Sequence, residues 1–149
     1  IIINQLDVFD NNKNFVSFYA HNQYRSNIGK IVSAIFYSTS NKNDEVNLFS
    51  KNICMHIAAS KPEAMDIENL SSELIEKEKK LQEEMIKDSG KPSNVVEKIL
   101  EGKMQKFYSE ITLLNQKFVI EPDSTIRDAI NVFNKSNNFE LINYTYISL

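Results

Sequence analysis

The residues best equipped for chemistry in this 149-residue chain lie in one apolar run, ICMHIAASKPE, at positions 53–63. It holds the only cysteine, Cys54, two residues from His56, one of two histidines. A thiol and an imidazole can form a nucleophile with its base, but only if the nitrogen reaches the sulfur at hydrogen-bond distance. On a helix, side chains meet three or four residues apart, so a spacing of two puts Cys54 and His56 on different faces. Both therefore read as core or near-core residues. The second histidine, His21, differs: it follows a strand-like segment in polar surroundings beside Tyr19 and Tyr24, within reach of a partner. No P-loop, Gly-rich dinucleotide turn or paired Cys/His metal spacing occurs in the chain. Glu76, Glu78, Glu83 and Glu84 alternate with Lys77, Lys79 and Lys80, the pattern of a solvated helix face.

The elements that must position these residues follow from hydrophobic period. Residues 15–20 (FVSFYA) are aromatic and β-branched, and residues 28–37 (IGKIVSAIFY) are apolar on both faces through the middle, as in a covered central strand. The polar stretch between them, residues 21–27, predicts a hairpin with a wide loop. Residues 1–9 read as a further strand. From Asp44 the period becomes helical, with Val46, Phe49, Ile53, Met55, Ile57 and Ala58 on one broad face; Asp44 and Glu45 suit the positive end of the helix dipole. Pro62 disfavours helix at the residue before it and so stops this helix near Ser60.

Residues 71–88 (SSELIEKEKKLQEEMIKD) predict a charged helix capped by Ser71, with Leu74, Ile75, Leu81, Met85 and Ile86 as a narrow apolar stripe. Gly90 can take a left-handed terminal position and Pro92 can open the next helix, whose seam is Val95, Val96, Ile99, Leu100, Met104, Phe107 and Tyr108. Two such helices joined by a tight turn lie antiparallel. One thin stripe against one wide stripe leaves apolar surface to share with the domain body or with a second copy of the chain. The tail predicts a loop or short extended piece ending at Pro122, a short helix over 124–134, and a strand over 139–149. The layout is α+β: an antiparallel sheet whose chain is interrupted by a helical hairpin at 68–109, with the core formed by 1–67 and 110–149.

Composition narrows the function classes. One cysteine excludes an internal disulfide framework and suits a reducing compartment. No apolar run approaches the roughly 20 residues that span a bilayer. A net charge of -3 with both signs mixed gives no footprint for nucleic acid. A chain that begins at Ile1 without a leader reads as a fragment or a processed form. From the residues alone, then, this is an interaction module with a projecting hairpin and no visible active site.

The stretches ICMHIAASKPE, LSSELIEKE, SGKPSNVVEKILEGKMQKF and NQKFVIEPDSTI, in this order and spacing, resemble the elongation factor Ts family, over roughly residues 15–149. That family exchanges guanine nucleotide on elongation factor Tu. The resemblance is to its second half: the C-terminal part of the core plus the inserted coiled coil that mediates dimerisation in some members. It lacks the small N-terminal helical domain, the first core half with its Thr-Asp-Phe-Val signature, and the terminal helical module. The resemblance implies that His21, in SFYAHN, faces the G domain of elongation factor Tu, and that Val119 and Ile120, with Phe118 in QKFVIEP, form an apolar contact with its third domain. It implies a homodimer through Val96, Leu100, Met104 and Phe107, no cofactor or catalysis, and a bacterial cytoplasm or organelle interior. Two departures stand out: the stretch after His21 is longer than in many members, and Lys117 replaces the usual proline, which loosens the loop presenting Val119. Besides exchange, two readings remain open: a self-associating module without exchange activity, and an enzyme using Cys54 or His21.

Overall fold

The computed structural model describes Leu6, Val8 and residues 14–87 and 92–148. The strand expected over 1–9 falls, apart from those two residues, outside the described residues, as does the Gly90 turn. Elements run β1 (Asn14–Arg25), β2 (Ile28–Thr39), α1 (Asp44–Ser60), α2 (Ser72–Lys87), α3 (Ser93–Ile111), α4 (Ile126–Phe133) and β3 (Phe139–Ser148), with short 3-10 turns at Ile67–Asn69 and Leu113–Asn115. The class is α+β. The strands form one antiparallel sheet in the order β1-β2-β3, so β2, the strand apolar on both faces, is central. The chain divides into two compact units, Ile1–Lys61 with Phe118–Leu149, and Pro62–Lys117.

In the first unit α1 packs on one face of the sheet, against β1 and β2. Its start is set by Asn43, whose side chain accepts the Val46 amide at 2.8 Å, a cap that satisfies one of the free amides of the first turn. Its end is set by Lys61, left-handed at φ 48°, followed by Pro62. The contact with the sheet is polar at its centre: the Ser33 hydroxyl donates to the Cys54 carbonyl at 2.6 Å, and the Ser17 and Ser50 hydroxyls meet at 2.7 Å. Around this lies an aromatic core in which Phe49 stacks on Phe133, with ring centroids 4.1 Å apart, and meets Phe139 edge-on at 5.3 Å. Tyr37 stacks on Phe139 from the sheet side at 5.0 Å.

The wide loop expected over 21–27 is instead strand. β1 and β2 pair on to Arg25 and Ile28, leaving a tight turn at Ser26 and Asn27 and a register slip between Gln23 and Arg25. This end of the hairpin is exposed on both faces, so its pairing rests on backbone hydrogen bonds and not on buried side chains, and polar residues can occupy it. Asn22 and Asn27 take positive φ, 51° and 65°, a conformation that asparagine tolerates.

In the second unit the chain closes on itself at its base. Leu113 N–H donates to the Ala64 carbonyl at 2.9 Å, Leu114 N–H to the Met65 carbonyl at 3.0 Å, and the Asn115 side chain to Asp66 at 2.9 Å. Helices α2 and α3 contact each other, and the Lys103 ammonium donates to the Gln82 side chain at 2.8 Å. Ser71 does cap α2, taking the Leu74 amide at 3.2 Å. Lys79–Glu83 and Lys106–Glu110 are exposed ion pairs one turn apart, each contributing roughly 0.3–0.5 kcal/mol.

Candidate functional site

The side chain of Cys54 is fully buried, its sulfur 3.3 Å from the Ser17 carbonyl to which it donates. Burial pushes its pKa from 9.0 up to about 12, which leaves it a neutral thiol at any physiological pH. His56 is also fully buried, and its partners differ from those of the sulfur. The Val119 amide donates to His56 Nδ1 at 3.3 Å, the Ser60 hydroxyl lies 3.5 Å from the same nitrogen, and the ring meets Phe118 edge-on at 5.9 Å. Neither residue opens on a solvent-reached cleft, so the helical spacing had the geometry right.

The surface gathers a different set. Val119 and Ile120 come from the loop between residues 118 and 124, which is closed by Phe118 N–H on the Ser124 carbonyl at 2.9 Å and Glu121 N–H on the Phe118 carbonyl at 3.0 Å. Together with His21 and Tyr19 of β1 they line an open groove of about 310 Å³. Its remaining walls are Ile31 of β2 and, from α1, the exposed Met55 and Ala59 with the buried Ala58. Two alanines where the rest of the helix carries larger apolar residues leave room for the hollow. Tyr19 Oη and His21 Nδ1 are 3.1 Å apart, so each restrains the other at the groove rim. Val119 and Ile120 are 52% and 45% exposed, two apolar side chains presented side by side at the groove.

Two sets of expected site residues are covered in a single copy of the chain. Phe118 is 2% exposed, its ring edge-on to Phe49 and His56, and it anchors the loop that displays the next two residues. Met104 is buried within the chain, and Val96, Leu100 and Phe107 are half-buried, because this stripe lies largely covered in a single copy. The exposed large apolar residues of this pair of helices are Leu81, Met85 and Val95. Reading the sequence missed Ile31, Met55 and Ala59 as groove walls; the Met55–Ala58–Ala59 step from large to small on one helix side was the available signal.

Comparison with known proteins decides the relationship. The family model described as Elongation factor TS matches residues 1–149. The chain belongs to the elongation factor Ts family. Among its relatives, Elongation factor Ts of Bartonella henselae is 38% identical over 81% of this chain and 39% of its own length. The Rickettsia felis protein of the same name is 33% identical over 95% of this chain and 46% of its own length, and the Rickettsia massiliae one 35% identical over 87% and 42%. The chain thus spans less than half the length of these elongation factor Ts relatives. Among its described residues no helix is long and apolar enough to cross a membrane.

Proposed function

We propose that this chain is the part of a translation elongation factor Ts that grips elongation factor Tu during guanine-nucleotide exchange, in a bacterial cytoplasm or an organelle interior. The observation that carries the proposal is the groove. It joins the exposed His21 to Val119 and Ile120, the residues that the family resemblance points to independently, although they lie far apart in the sequence. Such a surface offers an apolar contact beside one polar, orientable ring, which suits a protein partner. Exchange of this kind involves no covalent step. A factor that binds nucleotide-free Tu more tightly than nucleotide-bound Tu must, by linkage, weaken GDP and magnesium binding by the same factor.

The Thr-Asp-Phe-Val signature with which the family disturbs the nucleotide site does not occur in these 149 residues. Residues 1–149 are therefore expected to bind Tu weakly and to promote the release of GDP from Tu·GDP poorly by themselves. Stopped-flow release of a fluorescent GDP analogue, set against a full-length relative, tests this; release at the full-length rate overturns the assignment of anchoring to this part. Loss of Tu binding in a His21→Ala, Val119→Ala, Ile120→Ala variant that still folds is the supporting result.

A second reading is favoured by the exposure of Leu81 and Met85, four residues apart on α2. Here α2 and α3 form an antiparallel hairpin of coiled-coil type, and the chain associates with a second copy through it. Sedimentation of the intact chain separates this from the first reading.

A further inference from the structure

We infer that His56 is a positioning residue for partner binding: its buried imidazole takes the Val119 amide and thereby sets the direction in which Val119 and Ile120 are displayed. The inference rests on the groove being the partner surface. Within the loop, the amides of Phe118, Glu121 and Ser124 are used on the loop's own carbonyls. The Val119 amide leaves the loop and ends on α1, at His56 Nδ1, 3.3 Å away. A backbone N–H can only donate, so this nitrogen is the acceptor and the neutral ring carries its proton on Nε2. The residue before is tied as well, because the Phe118 ring is buried edge-on against the same imidazole. Two consecutive residues held by one side chain, one through its ring and one through its amide, leave the loop little freedom to rotate Val119 away from His21. The imidazole is fully buried on the core side, so a partner in the groove never touches it. It acts through Val119.

The wild-type chain tests the geometry without any partner. Uniform 15N labelling should give a scalar coupling across the hydrogen bond between the Val119 amide and His56 Nδ1, with slow exchange of that amide. No coupling together with exchange at the rate of an exposed amide overturns the inference.

The functional half is read with two amide variants of similar polarity. His56→Asn places its oxygen near the Nδ1 position, and His56→Gln places its amide near Nε2. Affinity for nucleotide-free elongation factor Tu should fall about tenfold in His56→Gln and be largely retained in His56→Asn. Equal loss in both, or no loss in either while Val119→Ala weakens binding, overturns the positioning role. If the coupling is present and Val119→Ala binds as well as wild type, the assignment of the groove to that partner has failed instead.

Discussion

Gly29 of β2 lies so close to the His21 carbonyl of β1 that a β-carbon built on it would sit 2.5 Å from that oxygen. The obstacle is backbone, which cannot swing aside as a long side chain can. Gly29→Ala must therefore push the two strands apart at the point where His21 is carried. We expect a loss of about 1–3 kcal/mol in stability and a displaced His21 ring. Urea unfolding reads the first, and the imidazole proton shifts read the second. Wild-type shifts in a Gly29→Ala protein would mean that the strands absorb the methyl elsewhere.

Phe118 and its two successors should separate stability from binding. Phe118→Ala empties a fully enclosed site beside Phe49 and His56, and should cost about 3–5 kcal/mol. Val119→Ala and Ile120→Ala remove half-exposed groups and should each change stability by less than about 1 kcal/mol, while weakening elongation factor Tu binding about tenfold. Thermal melts paired with titration calorimetry would show the split. Comparable destabilisation by all three would contradict the assignment of anchor and display.

How much of this was legible in the sequence depends on the range of the interaction responsible. The end of α1 followed from Pro62 alone, and the separation of Cys54 from His56 followed from their spacing of two; both are local, whereas Met55, on the apolar face by the same period, is exposed. The central position of β2 followed from its two apolar faces, because a strand covered on both sides leaves no polar alternation. The extension of β1 to Arg25 was not legible, since polar residues at an exposed hairpin end look like loop, and only pairing with β2 distinguishes them. The inward turn of Phe118 was not legible for a similar reason. Its neighbours Val119 and Ile120 are equally apolar, and nothing local says which of three turns inward; the aromatic space beside Phe49 decides it. The seam of α3 reads as strongly apolar whether its cover comes from the same chain or another, so burial of Met104 could not be read from spacing.

Cys54 makes stability depend on alkaline pH in a defined direction. Burial disfavours the thiolate and pushes the thiol pKa up to about 12 in the fold, from 9.0 when unfolding exposes it. Between those values the unfolded chain gives up a proton that the folded chain keeps, so the unfolded state is favoured progressively as pH rises. Below about pH 8 the group contributes almost no slope. Cys54→Ala loses packing at every pH but also loses this slope, so the stability gap between wild type and variant should narrow from pH 8 to pH 11. Urea unfolding at both values measures it. A constant gap would place the thiol in an environment far more polar than its burial indicates. The same burial should protect it from iodoacetamide in the folded chain at pH 8.

Self-association has its own discriminating surface. Ile86 and Met104 are buried in one copy, whereas Leu81 is 49% exposed and Met85 67% exposed, one turn apart on α2. If a second copy binds the α2–α3 pair, it must cover the exposed stripe, since opening the buried one would first cost the packing within the chain. Leu81→Glu with Met85→Glu should therefore convert a dimer to a monomer in sedimentation equilibrium with unchanged helix content. Met104→Glu should instead lower the melting temperature, because it places a carboxylate in covered apolar surroundings. A dimer that survives both glutamates would have to be held elsewhere, and a wild-type chain that sediments as a monomer at tens of micromolar would remove the self-association reading altogether.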